Sequence, residues 1–469
     1  MMISAKDIKR RDRILNGNLW LTIISICAPI FLYNLFNSFY AIIDAVVVAK
    51  INPTSVSAVA SLSQLQHLLS SLGAGLAAGG GILVARHFGA GDMDRARFCS
   101  NQTISLSNVI IALLLGICIP FALPIMSLSN IPKEHIAIGT GYFIVQIINL
   151  AFVFYNNVFM AMQKAKGNTK IMFWLNILAM IIKLSLSIIF IWVIGFRDIV
   201  WVAISTLIGQ VVMFCILLSM MLKRDNVFVI NLKEFKLKWN ECRKILSISL
   251  PIFFGKFIFS FGKVSVNAMC EGYGPLVVGA LGVSNNINGM VTTPINSFEE
   301  GSSTIISQNL GANNPKRAIK TFKYAFVMST SLGIIGYILV RFICQDAIIS
   351  LYNQNSAAAD AEMFLALIKS INRYDSLSIL ALAVNSAVLG VLYGFGQTKL
   401  TMILNISRVF VFRIPVLWYL QSFHPEIGAE AAGISMGISN ICIAITSMSI
   451  LGFFLYRLKK NGYKQFSDK

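Results

Sequence analysis

Charged residues are scarce in this sequence. Asp, Glu, Lys and Arg make up 13% of the 469 residues, about half of the share found in typical soluble domains. Hydrophobic residues make up 56%, and the mean hydropathy is +0.72. So few charges spread over soluble domains would leave large apolar faces in water. The composition therefore excludes a soluble globular protein and predicts a polytopic membrane protein.

Several chemical motifs are also missing. The eight cysteines are scattered without a C-x-x-C pair, which argues against a disulfide framework and a zinc site. There is no Walker loop G-x-x-x-x-G-K-[ST], which an ATP-driven pump would need, and no H-E-x-x-H. Residues 433–437 fit G-x-S-x-G, but they lie in an apolar segment with no strand before them. We therefore expect neither an enzyme nor a bound cofactor.

Long apolar segments take the place of these motifs. Twelve are bounded by clusters of charged or turn-forming residues, and each is long enough for a helix to cross the hydrocarbon core, which takes about 20 residues. None has the short alternating pattern of a transmembrane barrel. The predicted fold is an all-α polytopic membrane protein with twelve transmembrane helices. The predicted spans are 19–47, 56–84, 98–125, 137–162, 171–194, 200–222, 246–270, 276–307, 322–344, 362–392, 400–421 and 431–456.

Basic residues outnumber acidic residues by 39 to 20, which gives a net charge of +19. In a soluble chain this excess would suggest a nucleic-acid partner. Here 28 of the 39 lie at the two termini and in alternate loops, whereas the opposite loops hold only Lys50, Lys133, Arg197 and Arg341. The positive-inside rule then predicts cytoplasmic N- and C-termini in a bacterial plasma membrane. No nucleic acid is needed to explain the charge.

The two halves of the sequence resemble each other. Residues 79–97 align with 301–319, and residues 168–177 align with 397–406. Each half has six spans and begins on the same side, which indicates a parallel repeat about an axis along the membrane normal. Two such lobes would enclose a central cleft that rocking exposes to each side in turn. The predicted domains are an N-lobe at 1–222, a cytoplasmic linker at 223–245, and a C-lobe with its tail at 246–469.

Asp44 is the most informative ionisable residue within the predicted spans. A carboxyl group in a low-dielectric lobe has its affinity for a proton raised by desolvation, and it can alternatively bind Na⁺ with neighbouring oxygens. Tyr40 lies one turn before it on the same face, and Asn37 lies two turns before. Pro29 removes a backbone hydrogen bond and predicts a hinge in this helix.

These residues and the duplicated loops resemble the multidrug and toxic compound extrusion (MATE) family, and the DinF-like branch more than the NorM-like branch. The resemblance covers nearly the whole chain and implies a twelve-helix, two-lobe antiporter that expels organic compounds using H⁺ or Na⁺. It also implies coupling roles for Asp44, Tyr40, Asn157 and Thr206. The matching motifs are Pro29…Tyr40…Asp44, HFGAGDMDRAR at 87–97, SQNLGANNPKRA at 307–318, and Arg413-Ile414-Pro415.

The fifth span departs from the family pattern. Many relatives carry an Asn and, four residues later, an Asp, where this chain has Lys183 and Ser187. A protonated lysine cannot ligate Na⁺, so this departure favours H⁺ over Na⁺, with a Na⁺ site near Asp44 as the remaining metal option. Our hypothesis is that protonation of Asp44 breaks an Asp44–Lys183 pair and lets the N-lobe bend.

The second half is cationic within its spans, with Lys256, Lys263, Lys369, Arg373, Arg408 and Arg413 against Glu299, Glu300 and Asp375. If these cations line the cleft, an anionic or zwitterionic substrate is preferred. Structural ion pairs and hydrogen bonds between helices are the alternative roles for such polar residues. The candidate cleft residues are Asn37, Gln64, Lys263, Asn288, Thr292, Glu299, Arg373, Asp375 and Arg413.

The predicted function is cation-coupled export of small organic compounds, such as drugs, toxins or metabolites, by alternating access. The alternative is a flippase for lipid-linked oligosaccharides of the same superfamily. The expected partners are the substrate, the coupling ion and membrane lipid, and a monomer is expected.

Overall fold

The computed structural model describes residues 4–49, 53–128, 133–196, 198–343, 345–346 and 358–462. These ranges are helical apart from short loops and contain no β-strand. The chain divides into two compact units. Unit 1 comprises Met1–Phe253 and Ser307–Ala312, and unit 2 comprises Phe254–Ile306 and Asn313–Lys469. The domain boundaries at 222 and 245 remain predictions.

Unit 1 is built from the first eight helices and the start of the ninth. They are α1 (Ala5–Asn16), α2 (Leu19–Ala49), α3 (Pro53–Ala90), α4 (Met93–Cys118), α5 (Ala122–Leu128), α6 (Lys133–Ala165), α7 (Thr169–Ile188), α8 (Val200–Leu222) and α9 (Trp239–Cys270).

Unit 2 contains the rest of α9 and the remaining helices. They are α10 (Pro275–Ile295), α11 (Ser297–Gly311), α12 (Pro315–Ile338), α13 (Ala358–Asp375), α14 (Ser378–Gly394), α15 (Thr398–Ser407), α16 (Ile414–Phe423) and α17 (Glu430–Lys460). The last residues of α11 belong to unit 1. Three π-helical turns follow α7, α12 and α15, at Ile189–Val193, Leu339–Ile343 and Arg408–Arg413.

Helix makes up most of the described residues in each of the twelve predicted spans. In the described ranges, ten helical segments are long and apolar enough to cross a membrane, and the helix pair Glu362–Asp375 and Ser378–Gly394, bent by 44°, makes eleven if it is counted as one span. The predicted span 276–307 is filled by α10 and α11. The predicted all-α polytopic membrane fold is therefore confirmed.

Two spans predicted as single helices are interrupted. The segment 276–307 breaks at Asn296, just after Pro294, whose ring nitrogen has no hydrogen to donate to the preceding turn. The segment 362–392 bends between Asp375 and Ser378, where the Ser378 hydroxyl donates to Asp375 Oδ1 at 3.1 Å. A hydropathy pattern does not reveal such breaks, because the residues on both sides of each break are apolar.

The core of unit 1 forms where α3, α4, α6 and α8 pack together. Its largest fully buried side chains include Phe88, Phe154 and Phe159. Gly73 faces the ring of Phe154, and a Cβ there would lie 2.9 Å from a ring carbon. Small residues let membrane helices approach closely, so this glycine allows α3 and α6 to pack together.

A buried ion pair joins α1 to the rest of unit 1. Lys166, in the loop after α6, places its Nζ 3.2 Å from Oδ2 of Asp7 on α1. The same Nζ donates to Oδ1 of Asn226, in the segment after α8, at 3.2 Å. Arg10 contacts the other carboxylate oxygen of Asp7 at 2.7 Å. These contacts tie three separate parts of the chain together at one buried point.

The ends of α3 and α11 meet in a reciprocal contact within unit 1. A Cβ on Gly89 would clash with the backbone of Gln308, and a Cβ on Gly311 would clash with the carbonyl of Arg86. Gly89 aligns with Gly311 in the internal repeat, and Arg86 aligns with Gln308 at the same offset. The Gln308 amide also donates to the carbonyl of Ala165 at 2.6 Å. Only glycine fits where the two helices cross.

The core of unit 2 is formed by α9, α10, α13 and α17 and the π-helical turn before α16. Val266, Leu281, Ile368, Ile371 and Val409 are buried at its centre. A network of polar side chains runs beside this apolar core, and it contains several of the residues that the sequence singled out.

Candidate functional site

Each of the two units contains one group of polar side chains that includes residues predicted from the sequence. In unit 1, α2 packs against α7 and places Lys183 beside Tyr40. The Lys183 ammonium lies 5.0 Å from the centroid of the Tyr40 ring, within the range of a cation–π interaction. Both side chains are half-buried. Two of the residues that the sequence singled out, one on α2 and one on α7, are therefore in contact.

Asp44 is in α2, four residues after Tyr40, which is about one helical turn. Its side chain lies outside the described residues, as does that of Gln64 on α3. The ion pair between Asp44 and Lys183 therefore remains a prediction. Pro29 lies inside α2, between its first turns and Tyr40, where its missing N–H leaves a gap in the hydrogen-bond ladder.

Ser187 lies one turn after Lys183 on α7. It is 1% exposed, and its hydroxyl has no hydrogen-bond partner within the described ranges. Thr206 on α8 donates to its own helix, at the carbonyl of Val202, at 3.0 Å. The structure therefore places a buried hydroxyl without a partner on the helix that carries the predicted coupling lysine.

The predicted Asn157 on α6 is half-buried, and its neighbour Asn156 is the amide that links helices. Asn156 is buried, and its Nδ2 donates to Oε1 of Gln210 on α8 at 2.9 Å. Sequence reasoning passed over Asn156, because adjacent asparagines differ only in the helix face that they occupy. The position of the flanking apolar residues on α6 is the signal that distinguishes the two faces.

In unit 2, Asp375 is the centre of a buried hydrogen-bond cluster. Its Oδ2 accepts from Ser284 at 2.9 Å and from Asn288 at 2.7 Å, and its Oδ1 accepts from Ser378 at 3.1 Å. The side chain is almost completely buried. Buried carboxylates require such donors because an unpaired charge in a low-dielectric environment is costly. Asp375 and Asn288, both predicted from the sequence, are thus brought together.

The cluster continues from Ser378 to two arginines. Asn440 on α17 donates to the Ser378 hydroxyl at 2.7 Å, and its Oδ1 accepts from Arg408 Nε at 2.6 Å and from Arg413 Nη2 at 3.2 Å. Arg413 Nε also donates to Ser439 at 3.1 Å. A continuous polar chain therefore connects the carboxylate of α13 to both arginines.

The π-helical turn explains how one asparagine serves both arginines. In an α-helix, side chains five residues apart diverge by about 140°. Arg408 and Arg413 are five apart and are the first and last residues of the π-helical turn, whose wider turn brings them to the same side. π-Helical turns occur often at functional sites. Sequence reasoning noted both as cations within a span but had no means of predicting the turn.

Lys263 on α9 completes a group of three cations. Its Nζ lies 5.2 Å from the centroid of the Phe259 ring, and the guanidinium of Arg408 lies 4.8 Å from the same centroid. The Lys263 side chain is exposed, Arg408 is half-buried, and Arg413 is buried. Phe259 therefore has a cation on α9 and another on the π-helical turn.

The other predicted cleft residues are not part of this network. Arg373 is exposed, with its guanidinium 5.7 Å from the Tyr374 ring centroid. Thr292 donates to the carbonyl of Asn288 in its own helix at 3.0 Å. Glu299 is half-buried on α11, and Asn37 is exposed on α2. In the part of the chain that the structure describes, no group of three or more His, Cys, Asp or Glu residues could hold a metal ion.

Comparison with known proteins places this arrangement in a family. The MatE family model matches residues 29–189 and 251–419. Two curated relatives are from Bacillus subtilis. The probable multidrug resistance protein YoeA is 20% identical over 452 residues, covering 94% of this chain and 95% of the relative. The probable multidrug resistance protein YpnP is 23% identical over 375 residues, covering 78% and 80%.

Solved structures share the fold. A crystal structure of MATE in complex with MaL6 has a TM-score of 0.90 and 19% identity, covering 96% of this chain and 99% of that chain. An outward-facing multidrug resistance MATE transporter has a TM-score of 0.89 and 19% identity, covering 95% and 98%. Because the family model matches well over half of the sequence, this chain belongs to the MatE family and is an integral membrane transporter of the multidrug type.

Proposed function

We propose that this protein is a secondary antiporter that exports small organic compounds in exchange for H⁺, with Asp44 as the group that binds the proton. The observation that carries the proposal is the contact between Lys183 and Tyr40, 5.0 Å from ammonium to ring centroid. It brings a cation of α7 to within one helical turn of the predicted proton carrier on α2.

The proposed cycle uses one proton at one carboxyl group. With Asp44 ionised, its charge pairs with Lys183, and α2 is held against α7. A proton from the outside neutralises Asp44, so the attraction to Lys183 is lost. The two helices then separate, with α2 bending at Pro29. Release of the proton to the inside restores the pair and completes the exchange.

The surrounding polar groups support this cycle. The buried Ser187 hydroxyl, one turn after Lys183, is a hydrogen-bond donor or acceptor available to either state of the site. Thr206 and Asn157 are the further coupling residues that the family resemblance implies. A polar group that is buried without a partner costs free energy, so a new bond to Ser187 would favour whichever conformation forms it.

H⁺ is proposed over Na⁺ because of the charge of Lys183. A monovalent cation that entered between Tyr40 and Lys183 would be repelled by the ammonium, whereas protonation of a carboxylate adds no new centre of positive charge beside it. The Lys183 ammonium lies over the ring of Tyr40, at the sequence position where the family pattern carries an asparagine. A Na⁺ site near Asp44 is therefore the alternative that the experiment below must exclude.

The remaining assignments concern the membrane, the orientation, the oligomeric state and the family branch of the transporter. We infer cytoplasmic N- and C-termini in a bacterial plasma membrane from the distribution of basic loop residues, and we propose that the protein acts as a monomer. We also place the chain on the DinF-like branch, because Phe259 and Leu382 stand near the positions of the acids that the other branch carries on its seventh and tenth helices. The lipid flippase alternative is not proposed, since the relatives compared above carry multidrug names.

The proposal is tested in vesicles that contain the purified protein. Two dyes with the same xanthene ring system, cationic rhodamine 6G and anionic carboxyfluorescein, are followed under an imposed pH gradient or an imposed Na⁺ gradient. We expect the pH gradient alone to drive dye movement, Asp44→Asn to reduce the rate at least tenfold, and Lys183→Met to shift its pH dependence.

Lys170→Met is the matched control, because Lys170 is an exposed lysine at the start of the same helix. It should transport like the wild type. Gradient-driven transport that survives Asp44→Asn would refute the role of Asp44. Transport driven by the Na⁺ gradient alone would refute proton coupling, and an unchanged pH profile in Lys183→Met would refute the ion pair.

A further inference from the structure

We propose that unit 2 contains a binding site for organic anions, formed by Lys263, Phe259 and Arg408, and that the transported substrate carries a carboxylate or phosphate group. The inference rests on the proposed function because it names the substrate class of the same transporter. It depends on no feature of the proton-coupling residues in unit 1.

The geometry places two cations at one aromatic ring. Lys263 Nζ and the Arg408 guanidinium are 5.2 Å and 4.8 Å from the Phe259 centroid. Both distances are within the range of cation–π contacts. Both positive groups therefore contact the same ring, and Lys263 is exposed where a ligand could reach it.

The positive charge of this group is not balanced locally. Within the described ranges, no carboxylate lies within 4.0 Å of the charged nitrogens of Lys263, Arg408 or Arg413. The nearest network acid is Asp375, and its two oxygens already accept from three neutral donors. Three cations thus share one carboxylate that makes no direct ion pair with any of them. A bound anion would supply the missing charge.

The hydrogen bonds of Arg408 leave its binding edge available. The Nε donates to Asn440 Oδ1 at 2.6 Å, which orients the guanidinium plane. The two Nη nitrogens have no acceptor among the residues that the structure describes. A guanidinium with free Nη groups matches the paired oxygens of a carboxylate or a phosphate. Lys263 Nζ likewise has no acceptor among the described residues, and it adds a second charged donor beside the same ring.

Arg413 acts as a positioning residue for this site. It is buried and donates to both Ser439 and Asn440. Its bond to Asn440 Oδ1 orients the same oxygen that receives Arg408 Nε, so the carboxamide is held toward both guanidinium groups. A further positive charge also increases the attraction of the site for an anion.

Equilibrium binding tests the site without any gradient. The full-length protein is placed in nanodiscs of phosphatidylcholine, and the affinities of carboxyfluorescein and rhodamine 6G are measured by fluorescence anisotropy. We expect the anionic dye to bind at least tenfold more tightly than the cationic dye. Lys263→Gln should weaken binding of carboxyfluorescein at least tenfold, and Lys263→Arg, which keeps the charge, should retain most of it.

Lys369→Gln is the matched control in the same unit. Lys369 is exposed and already paired with Asp346 at 2.7 Å, so its loss should leave the dye preference unchanged. Arg408→Gln should resemble Lys263→Gln. Because Arg408 is part of a buried network, binding by Arg408→Gln is interpreted only if this variant elutes as a single species in gel filtration. If it does not, the test depends on Lys263→Gln, which changes an exposed residue.

Three outcomes would overturn the inference. They are tighter binding of rhodamine 6G by the wild type, an unchanged preference in Lys263→Gln, and equal losses in Lys369→Gln. If added phosphatidylglycerol displaces carboxyfluorescein from the wild type at high salt, where surface repulsion is screened, and inorganic phosphate does not displace it, the occupant is a lipid headgroup and the assignment to a soluble substrate is overturned.

The binding test and the transport test can refute the two proposals separately. An anion preference that depends on Lys263, together with transport that survives Asp44→Asn, would refute the coupling proposal alone. Proton-driven transport of rhodamine 6G without binding of carboxyfluorescein would refute the anion site alone.

Discussion

Lys166→Met should destabilise the protein through the buried ion pair with Asp7. The two side chains are 7% and 4% exposed, and Nζ lies 3.2 Å from Oδ2. Methionine keeps the unbranched apolar stem of lysine and is one heavy atom shorter, so the change removes mainly the charge and its hydrogen bonds. It leaves the Asp7 carboxylate buried with one cation, Arg10, where it had two.

The magnitude follows from what remains around Asp7. Removing one partner of a buried ion pair costs about 3 to 5 kcal/mol when the other charge is left alone. Asp7 keeps its 2.7 Å contact with Arg10, so we expect the low end, about 3 kcal/mol. The side-chain Oδ1 of Asn226, which accepts from Lys166 at 3.2 Å, also loses this donor but still accepts from the backbone N–H of Phe228.

A double-mutant cycle separates the pair from its surroundings. Asp7→Asn combined with Lys166→Met removes both charges, and replacing a whole buried pair is often close to neutral. We expect the double variant to recover at least half of the stability lost in Lys166→Met. The assay is reversible unfolding by sodium dodecyl sulfate, followed by tryptophan fluorescence, with the exposed Lys170→Met as control.

The pH dependence has a definite sign. Burial lowers the pKa of Lys166 below 10.5, and the Asp7 carboxylate offsets only part of this effect. Between the folded pKa and 10.5 the unfolded chain binds more protons, so the stability due to this group rises with pH in that window. Below the folded pKa Lys166 is protonated in both states, so the ion pair with Asp7 is intact there and this group adds no further pH dependence. The difference between wild type and Lys166→Met should show this rise.

Two results would refute this reasoning. If Lys166→Met is as stable as Lys170→Met, the ion pair contributes nothing to stability. If the double variant is less stable than Lys166→Met, the charge of Asp7 is held by groups other than Lys166.

Two further predictions concern packing and the Asp375 cluster. Gly311→Ala should lower the free energy of unfolding by about 2 kcal/mol, because its Cβ meets a backbone carbonyl of α3 that cannot rotate away. Gly282→Ala, with no atom within 4 Å of its Cβ position, should cause no loss in the same assay of unfolding by sodium dodecyl sulfate. Asn288→Ala should cost about 2 kcal/mol, because a buried donor to the charged Asp375 is removed. Thr292→Val should change the free energy of unfolding by no more than about 0.5 kcal/mol, since the Thr292 hydroxyl bonds only within its own helix. Equal losses of stability in Asn288→Ala and Thr292→Val would contradict the role of the cluster.

The membrane helices could be predicted because hydropathy acts over whole segments. Burial of about 20 apolar residues decides whether a segment crosses a bilayer, and this signal is visible along the chain. The interruption at Asn296 and the bend at Asp375 could not be predicted in the same way. Each depends on a few hydrogen bonds between positions whose hydropathy does not differ from that of their neighbours.

The candidate sites were predictable as residue types but not as contacts. Charge within a span singled out Lys183, Lys263, Asp375 and Arg413, because an ionisable group in the bilayer interior needs a specific reason to be there. Their partners depend on helix faces and on the π-helical turn, which brings Arg408 and Arg413 to one asparagine. Asn440 was missed altogether, since a single amide in an apolar helix has no charge to distinguish it.

The reciprocal contact between α3 and α11 bears on the origin of the chain. Gly89 contacts Gln308, and Gly311 contacts Arg86. Because Gly89 is equivalent to Gly311 and Arg86 to Gln308 in the repeat, the two contacts are the same contact made twice. This is the form of an isologous interface, in which the same patch of two identical subunits is self-complementary. A half-length ancestor with a glycine at this position could associate with a second copy of itself through the same two residues. Fusion of the two genes would then preserve an interface that already existed, and afterwards the two glycines would be free to diverge only together with the residues that face them.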